Sequence, residues 1–340
     1  MKPDLISLII PFYNEGRAVD LFFQAIDEVL AALDQYEFEL VCVDDGSRDD
    51  TLHRLIAHAH TDSRITVVEL TRNFGKEAAM TAGIHHARGI AAIVLDADLQ
   101  DPPELIGQML ATWKSESADM VLARRADRTC DGALKRLTAK WFYRLHNRVA
   151  NVQIPENVGD FRLMTRPVLD ALKALPERQR FMKGLFAWVG FKTVTIDYVR
   201  QGRAAGTTKF SGWKLWNFAL DGVSAFSTMP LRVWTYLGGV VSLLTALYAL
   251  YYVTRVLTQG IDVPGYASLL IAVLFFGGVQ LVSVGILGEY MGRIHEEVKQ
   301  RPIYLVRAIH QQHALYAHET PTTARHSASH LDVHPGNHHE

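Results

Sequence analysis

Three carboxylates lie within six residues in the stretch IVLDADLQDPP, where Asp96, Asp98 and Asp101 follow a short apolar run. Carboxylates this close repel one another and raise each other's pKa unless a positive charge lies among them. The sequence therefore indicates either a metal ion alone or a metal ion that carries a phosphorylated ligand. Asp96 and Asp98 flank one small residue and could reach one Mg²⁺ or Mn²⁺ ion, with Gln100 adding an oxygen. Asp101 is interpreted instead as the cap of a helix that begins at the prolines after it.

Other charged, turn-forming segments also follow apolar runs. PFYNEG, DDGSRDD and TRNFGK come after the runs at residues 5–10, 38–43 and 65–70, and the acidic stretch ends a fourth run at 90–95. Runs that are continuously apolar, rather than alternating, are typical of strands buried on both faces. Asp45, in the second segment, could accept hydrogen bonds from a base or a ribose.

Helical spacing separates these runs, at residues 19–33, 51–60 and 76–87, and a helix at 105–114 and a short strand at 120–123 follow. Strands that alternate with helices in this way predict an α/β domain with a doubly wound, mostly parallel sheet. In such sheets ligands bind at the carboxyl ends of the strands. The four charged segments should therefore meet at one edge of the sheet.

Composition excludes several classes of protein. The 35 basic and 36 acidic residues nearly cancel, which argues against a nucleic-acid partner. Two cysteines, Cys42 and Cys130, are too few for a disulfide framework or a zinc site. Neither G-x-G-x-x-G nor a P-loop motif occurs, which argues against dinucleotide oxidoreductases and P-loop NTPases. The first apolar run is short and is cut by Pro11, so we expect no signal peptide and a cytosolic N-terminal part.

The second half of the chain is predicted to contact a membrane. Residues 232–258 and 265–289 are long apolar segments, of the length that a bilayer core requires, and predict a two-helix transmembrane hairpin. Two buried core helices are the alternative. Basic residues flank the hairpin and are scarce in its connection, so the catalytic part, residues 1–210, should lie on the cytoplasmic side. We further expect an amphipathic interfacial helix at 211–231, a cytoplasmic segment at 290–317 and a disordered histidine-rich tail at 318–340.

The motifs as a set resemble those of family 2 glycosyltransferases with a GT-A fold, and among them the polyprenyl-phosphate glycosyltransferases, the dolichol-phosphate mannose synthase group. The matching segments are IPFYNEG, VDDGSRDDT, RNFGKEAAMTAG, LDADLQDPPE, VGDFRLM, RAAGTTKFSGWKL, STMPLR and LGEYMGRIHEEVKQRP. The two-helix part is most similar to the bacterial bactoprenol (undecaprenyl-phosphate) glucosyltransferase branch. The resemblance implies a multi-pass protein of the bacterial inner membrane and a homotetramer, with helix packing helped by small residues at Gly238, Gly239, Gly277 and Gly278.

The resemblance also implies a role for individual positions. The residues expected to bind the nucleotide are Pro11, Tyr13, Glu15, Asp45, Lys76, Asp96 and Arg124. Asp96, Asp98 and Gln100 would hold the metal, Mg²⁺ or Mn²⁺, that bridges the nucleoside diphosphate. The catalytic set would be Asp160, Asp96, Arg203 and Lys209, with Asp160 beside the acceptor and the anomeric carbon and with Arg203 and Lys209 on phosphate. Whether Arg124 or Arg125 screens phosphate charge or forms a solvated surface pair stays open.

The expected reaction is inverting transfer of one hexose, glucose from UDP-glucose, to undecaprenyl phosphate, giving a lipid-linked sugar for a cell-envelope glycan. A phosphate monoester has a second pKa of about 6 and is mostly a dianion at neutral pH, so a strong general base is hardly needed. Asp160 would either remove a residual proton or orient a substrate. Alternatives are another donor, GDP-mannose or a UDP-4-amino-4-deoxy-L-arabinose derivative, and a non-catalytic scaffold that binds nucleotide sugar. A processive synthase is disfavoured because no Q-x-x-R-W motif occurs.

Overall fold

The computed structural model describes residues 3–125, 158–178, 180–198 and 265–312, together with scattered positions between 238 and 258. Four strands carry the charged segments at their carboxyl ends: β1 (Asp4–Phe12), β2 (Tyr36–Asp44), β3 (Ile65–Leu70) and β4 (Ala91–Val94). They are parallel neighbours in the order β4-β1-β2-β3. The predicted parallel arrangement at the centre of the sheet is confirmed.

Four more strands widen the sheet on both sides: β5 (Met120–Arg125), β6 (Val158–Thr165), β7 (Thr193–Tyr198) and β8 (Val306–His310). The described residues form one eight-stranded sheet in the order β7-β5-β6-β4-β1-β2-β3-β8. Strand β6 runs antiparallel between β4 and β5, and β8 runs antiparallel along β3. The sheet is therefore mixed, but its centre, where the charged segments lie, is parallel.

Helices cover both faces of the sheet, as a doubly wound domain requires. The described helices are α1 (Gly16–Ala31), α2 (Thr51–Thr61), α3 (Lys76–His86), α4 (Leu105–Glu116), α5 (Arg166–Ala174), α6 (Met182–Trp188) and α7 (Tyr266–Val298). Alternate residues of β1 face opposite cores: Leu8 packs in the core beneath α1, α2 and α4, and Ile9 packs in the core beneath α3, α5 and α6. This two-sided burial explains why the central strands read as continuously apolar.

The C-terminal part differs from the expectation in the length of its helix and in a strand that joins the sheet. Helix α7 covers the second predicted span, 265–289, but continues to Val298. Among the described residues, no helix is both long enough and apolar enough to cross a membrane, so the multi-pass prediction gains no support from them. The first predicted span, 232–258, is described only at scattered positions, and 211–231 and 318–340 lie outside the described residues. Within the predicted 290–317 segment, β8 joins the sheet of the N-terminal domain.

Candidate functional site

The loops after β1 and β2 are hydrogen-bonded to each other at the carboxyl edge of the sheet. The backbone N–H of Asn14 donates to the Ser47 hydroxyl at 3.0 Å, and the Asn14 side chain accepts from the N–H of Arg48 at 2.8 Å. Asn14 has a φ of 53°, a left-handed conformation that asparagine tolerates better than most residues. The N–H of Glu15 donates to the Thr51 hydroxyl at 2.9 Å. The first two charged segments therefore form one continuous surface.

Asp45 connects this surface to the loop after β3. Its carboxylate is almost fully buried and accepts from the backbone N–H groups of Phe74 (2.7 Å) and Gly75 (3.0 Å) and from the Asn73 amide (2.8 Å). The neighbouring Gly46 has a φ of 64°, and a Cβ on it would lie only 2.4 Å from the backbone of the same loop. The sequence predicted a nucleoside contact for Asp45; in this structure its carboxylate holds residues 73–75 in place.

The other residues expected at the nucleotide lie around this junction. Tyr13 is 37% exposed, whereas Pro11 and Glu15 are partly buried. Pro11 is paired in register with the end of β2, and Lys76 begins α3 directly after the loop that Asp45 holds. The structure thus brings the first three charged segments and Lys76 to one edge of the sheet.

Lys76 joins two of the predicted acids. Its ammonium nitrogen lies 2.7 and 2.9 Å from the two carboxylate oxygens of Asp96 and 2.6 Å from Oδ2 of Asp160. Asp96 follows β4, whereas Asp160 lies in the neighbouring antiparallel strand β6. The side chain of Lys76 is 42% exposed, and those of Asp96 and Asp160 are 30% and 14% exposed. The cluster is therefore open on the side of Lys76 and closed on the side of Asp160.

The charges of this cluster set one another's protonation. Burial alone would raise the pKa of Asp160, but the charges of Lys76, Lys183 and Arg162 and the hydrogen bond from Lys76 together outweigh it and hold that pKa well below its usual range. Burial would lower the pKa of Lys76, but Asp160 and Asp96 raise it well above the usual value. Burial raises the pKa of Asp96, and Asp160 adds to this effect. At neutral pH the site thus holds an ionised Asp160 against a protonated Lys76.

Two further charged residues lie beneath the cluster, and sequence reasoning missed both. Glu77 accepts from the backbone N–H of Met182 at 3.1 Å, and burial, reinforced by the charge of Asp160, raises its pKa to about 7. Arg162 is 4% exposed, and its guanidinium lies 3.8 Å from the centre of the Phe186 ring. Burial lowers the pKa of Arg162 to about 10, against the opposing charges of Asp160 and Glu77. The alternation of a strand could have placed Arg162 on the same face as Asp160, two residues earlier.

The acidic loop turns sharply at Leu99. Leu99 has a φ of 53°, which is strained for a side chain of this size. The turn brings Gln100 back onto Asp98: the backbone N–H of Gln100 donates to Oδ1 at 3.2 Å, and its side-chain amide donates to Oδ2. Asp101 is 3% exposed and accepts from the Tyr198 hydroxyl of β7. The interpretation of Asp101 as a helix cap was therefore wrong, because α4 begins only at Leu105, without a side-chain cap.

The acidic loop also has the donor chemistry of a divalent-cation site. No group of three Asp, Glu, His or Cys side chains within the described residues could hold a metal ion by itself. Magnesium, however, is commonly bound by one or two carboxylates together with substrate phosphates. The Gln100 amide lies against Asp98, and a half-turn of that amide would present its oxygen beside the carboxylate. Asp98 and Gln100, with Asp96 two residues before, fit a hard cation that also binds a diphosphate.

Of the basic residues predicted to bind phosphate, the structure describes the side chain of Arg124. Arg124 is half-exposed and forms a two-bond ion pair with Asp197 of β7, at 2.6 and 2.9 Å. That pairing belongs to the β5–β7 edge of the sheet. The side chain of Arg125, and both Arg203 and Lys209, lie outside the described residues.

Comparison with known proteins places the chain in a family. Residues 7–173 match the family model described as "Glycosyl transferase family 2", and residues 229–294 match "GtrB C-terminal hairpin". The chain is 52% identical to an uncharacterized glycosyltransferase of Synechocystis sp., over 88% of this chain and 94% of the relative. It is 50% identical to a prophage-derived bactoprenol glucosyl transferase of Shigella flexneri, over 90% of this chain and 98% of the relative.

Among solved structures, a mannosyltransferase of Pyrobaculum calidifontis in complex with GDP-Man and Mn²⁺ has a TM-score of 0.46 at 17% identity, over 89% of this chain and 85% of its own. The two glycosyltransferase relatives named above are far more similar in sequence than this mannosyltransferase, and the chain matches nearly the whole length of each. The parallel α/β core, the clustered acids at its carboxyl edge and these relatives agree, and the chain belongs to the family 2 glycosyltransferases, with a GtrB C-terminal hairpin after the catalytic domain.

Proposed function

We propose that this family 2 glycosyltransferase transfers glucose from UDP-glucose to a polyprenyl phosphate such as undecaprenyl phosphate. The observation that carries the proposal is the Lys76 bridge between Asp96 and Asp160. In this bridge one ammonium group contacts both Asp96, the acid expected on the donor side, and Asp160, the acid expected on the acceptor side. Relatives named as bactoprenol glucosyl transferases, about 50% identical over most of the chain, support the choice of sugar and acceptor.

In the proposed reaction a phosphate oxygen of the acceptor attacks the anomeric carbon of glucose. The new bond joins that oxygen to the anomeric carbon, and the bond from the anomeric carbon to the nucleoside diphosphate breaks. Attack and departure on opposite faces invert the configuration, so an α-linked donor gives a β-linked product. The nucleoside diphosphate leaves with the electron pair of the broken bond.

Asp160 is better suited to electrostatic work than to proton transfer. Burial raises the pKa of Asp160, but Lys76, Lys183 and Arg162 together hold it well below the usual range. A carboxylate with so low a pKa is a weak base. It is therefore a poor acceptor for the proton of a phosphate, whose second pKa is about 6. We assign to Asp160 the orientation of the substrates and the stabilisation of positive charge that develops on the sugar.

Lys76 is the cation that contacts both Asp96 and Asp160 directly. Its side chain is partly exposed beside Asp96, where the diphosphate of the donor would lie. A protonated lysine at that position offsets the repulsion between a diphosphate and an anionic acceptor. Asp98, Gln100 and Asp96 would hold the Mg²⁺ or Mn²⁺ ion, which when bound neutralises charge on the leaving diphosphate.

The acceptor lipid requires that the enzyme work at a membrane, and we propose that the C-terminal hairpin provides this contact. Helix α7 exposes large apolar side chains along its whole length, including Leu269 (66%), Leu281 (74%), Leu287 (58%) and Val298 (72%). Residues 266–288 of this helix carry no charge, and an apolar helix of this kind is normally covered by protein or lipid. Release of the protein from membranes by sodium carbonate, without detergent, would contradict an integral attachment.

The first test is a panel of donors. Purified protein in detergent, with undecaprenyl phosphate and Mg²⁺ or Mn²⁺, is incubated with radiolabelled UDP-glucose, UDP-galactose, UDP-N-acetylglucosamine or GDP-mannose. We expect metal-dependent label in the lipid fraction from UDP-glucose alone. Label from a different donor would show that the proposed sugar is wrong but that the reaction is still transfer of a sugar to a lipid phosphate. Nucleotide binding without transfer from any donor would favour a scaffold that binds nucleotide sugars.

A further inference from the structure

The residues after helix α7 contact the loop that carries Lys76. We define residues 301–312 as the C-terminal strap. Its strand β8 pairs antiparallel with β3, with Val68 opposite Ile309 and Leu70 opposite Val306. The ladder is irregular between Glu69 and Leu70, directly before the 71–76 loop. The strap therefore reaches the start of that loop.

Both backbone polar groups of Thr71, the first residue of the loop, are bound by the strap. The N–H of Thr71 donates to the carbonyl of Leu305 at 2.9 Å, and the carbonyl of Thr71 accepts from Nη2 of Arg307 at 3.0 Å. Nη1 of the same guanidinium donates to Glu69 at 3.2 Å. Arg307 thus spans the last residues of β3 and the first residue of the loop.

Tyr304 supports the loop from its outer side. Tyr304 and Phe74 pack against the same group of buried side chains, which includes Val68 and Leu70. The Tyr304 hydroxyl lies 2.7 Å from Nδ1 of His85, on helix α3, which Lys76 begins. The strap therefore contacts the elements on both sides of Lys76, the loop before it and the helix after it.

Arg178 binds both the end of α7 and the first residue of the strap. The backbone N–H of Arg178 lies 3.1 Å from both carboxylate oxygens of Glu297, in the last turn of α7. Nη1 of Arg178 donates to the carbonyl of Arg301 at 3.0 Å. The position of the strap is therefore tied to the hairpin helix on one side and to the catalytic domain on the other.

These contacts complement those of Asp45. Asp45 holds residues 73–75 from the side of β2, and the strap holds residue 71 and supports Phe74 from the side of β3. We propose that Tyr304 and Arg307 are positioning residues that fix the 71–76 loop, and with it Lys76, for donor binding. The hairpin and the donor site then behave as one cooperative unit. This inference rests on the proposed function only for the identity of the nucleotide.

The experiment compares four variants of the full-length protein in detergent: Arg307→Ala, Tyr304→Ala, Tyr304→Phe and, as control, Gln312→Ala. Gln312 belongs to the strap, and its side-chain amide donates to the carbonyl of His60, at 3.2 Å, away from the loop. Amide hydrogen exchange of residues 71–76 and the Kd of UDP are measured for each. Thermal melting identifies any variant that fails to fold.

We expect Arg307→Ala and Tyr304→Ala to raise exchange across residues 71–76 and to weaken UDP binding about tenfold, because a loop must then be ordered on binding. Tyr304→Phe keeps the ring and should rescue most of the affinity. Gln312→Ala should change neither quantity. Faster exchange confined to residues 306–310, with the exchange of 71–76 and the Kd unchanged, would overturn the proposal and leave the strap a merely structural strand. If the parent protein fails to bind UDP, the proposed donor is wrong, and the exchange of the loop still decides this inference.

Discussion

The ammonium nitrogen of Lys76 lies 2.6 Å from a carboxylate oxygen of Asp160, a residue 84 positions later in the chain. The contact joins the first turn of α3 to strand β6, and it crosses from the parallel part of the sheet to the antiparallel part. An ion pair at this position fixes the ionisation of Asp160 and places a cation where two anionic substrates would meet. The following predictions depend on it.

Lys76→Met should abolish most of the transfer. The substitution keeps an apolar stem of similar length but removes the charge, so Asp96 and Asp160 face each other without a cation between them. We expect turnover to fall by about 100-fold or more, the loss typical when a preorganised electrostatic group is removed. Lys114→Met is the matched control, since Lys114 forms an exposed ion pair with Asp4 far from the site. Equal activity of the two variants would remove Lys76 from the mechanism.

Asp160→Asn should separate binding from chemistry. The amide preserves shape but not charge, so UDP and metal should bind within about threefold of the parent, while the rate of transfer falls by about 100-fold or more. Binding is measured by calorimetry and transfer by label in the lipid fraction. Asp170→Asn, at an exposed acid of α5, provides the control. A variant that turns over normally would show that Asp160 is not required.

Asp98→Ala should weaken metal-dependent binding of the donor. The remaining oxygens of Gln100 and Asp96 would then hold the cation without its central carboxylate, and we expect the Kd of UDP in Mg²⁺ or Mn²⁺ to rise by about 10-fold to 100-fold. In chelator the variant and the parent should bind UDP equally weakly. Unchanged metal dependence in the variant would place the cation elsewhere.

Glu77→Gln should change how stability depends on pH. Burial raises the pKa of Glu77 from 4.5 to about 7 in the folded protein. Between these values the unfolded chain ionises while the folded protein keeps its proton, so this group makes stability fall as pH rises through that window. A glutamine cannot ionise and can still accept from Met182. We therefore expect the Tm of the variant, relative to that of the parent, to increase by roughly 3 °C from pH 5 to pH 8.

The measurement is a series of thermal melts in chelator at pH 5, 6, 7 and 8. Glu28→Gln, at an exposed position of α1, is the control and should run parallel to the parent throughout. A constant difference between Glu77→Gln and the parent would show that Glu77 ionises at an ordinary pH in the folded protein.

The parallel centre of the fold could be predicted because each of its strands is indicated by a short apolar run in the sequence. The run at 65–70 coincides with strand β3, and the run at 90–95 contains β4. Strand β6 could not be found in this way: its place between β4 and β5 depends on partners distant in sequence, which no local pattern encodes. Strand β8 was missed for the same reason, and its short sequence, VRAIH, contains two residues that can carry charge.

The site was predictable by residue type but not by pairing. The acids after β4 and the lysine that begins α3 were recognised, yet nothing in the sequence indicated that Lys76 would bridge Asp96 and Asp160. Asp45 had the chemistry of a base contact, but its backbone partners lie in another loop. Side-chain types limit what a site can do, whereas the pairing depends on which loops the sheet brings together.

The pairing of β8 with β3 has a consequence for biosynthesis. Glu69 and His310 are 241 positions apart, so the ribosome must make the entire hairpin before the edge of β3 is covered. At common rates of translation this takes on the order of 10 to 50 seconds. During that interval β3 is an open edge, which is a template for wrong pairing. The nascent catalytic domain is thus exposed to aggregation until its C-terminal strand arrives, and an early stop codon in the hairpin would leave that edge permanently bare.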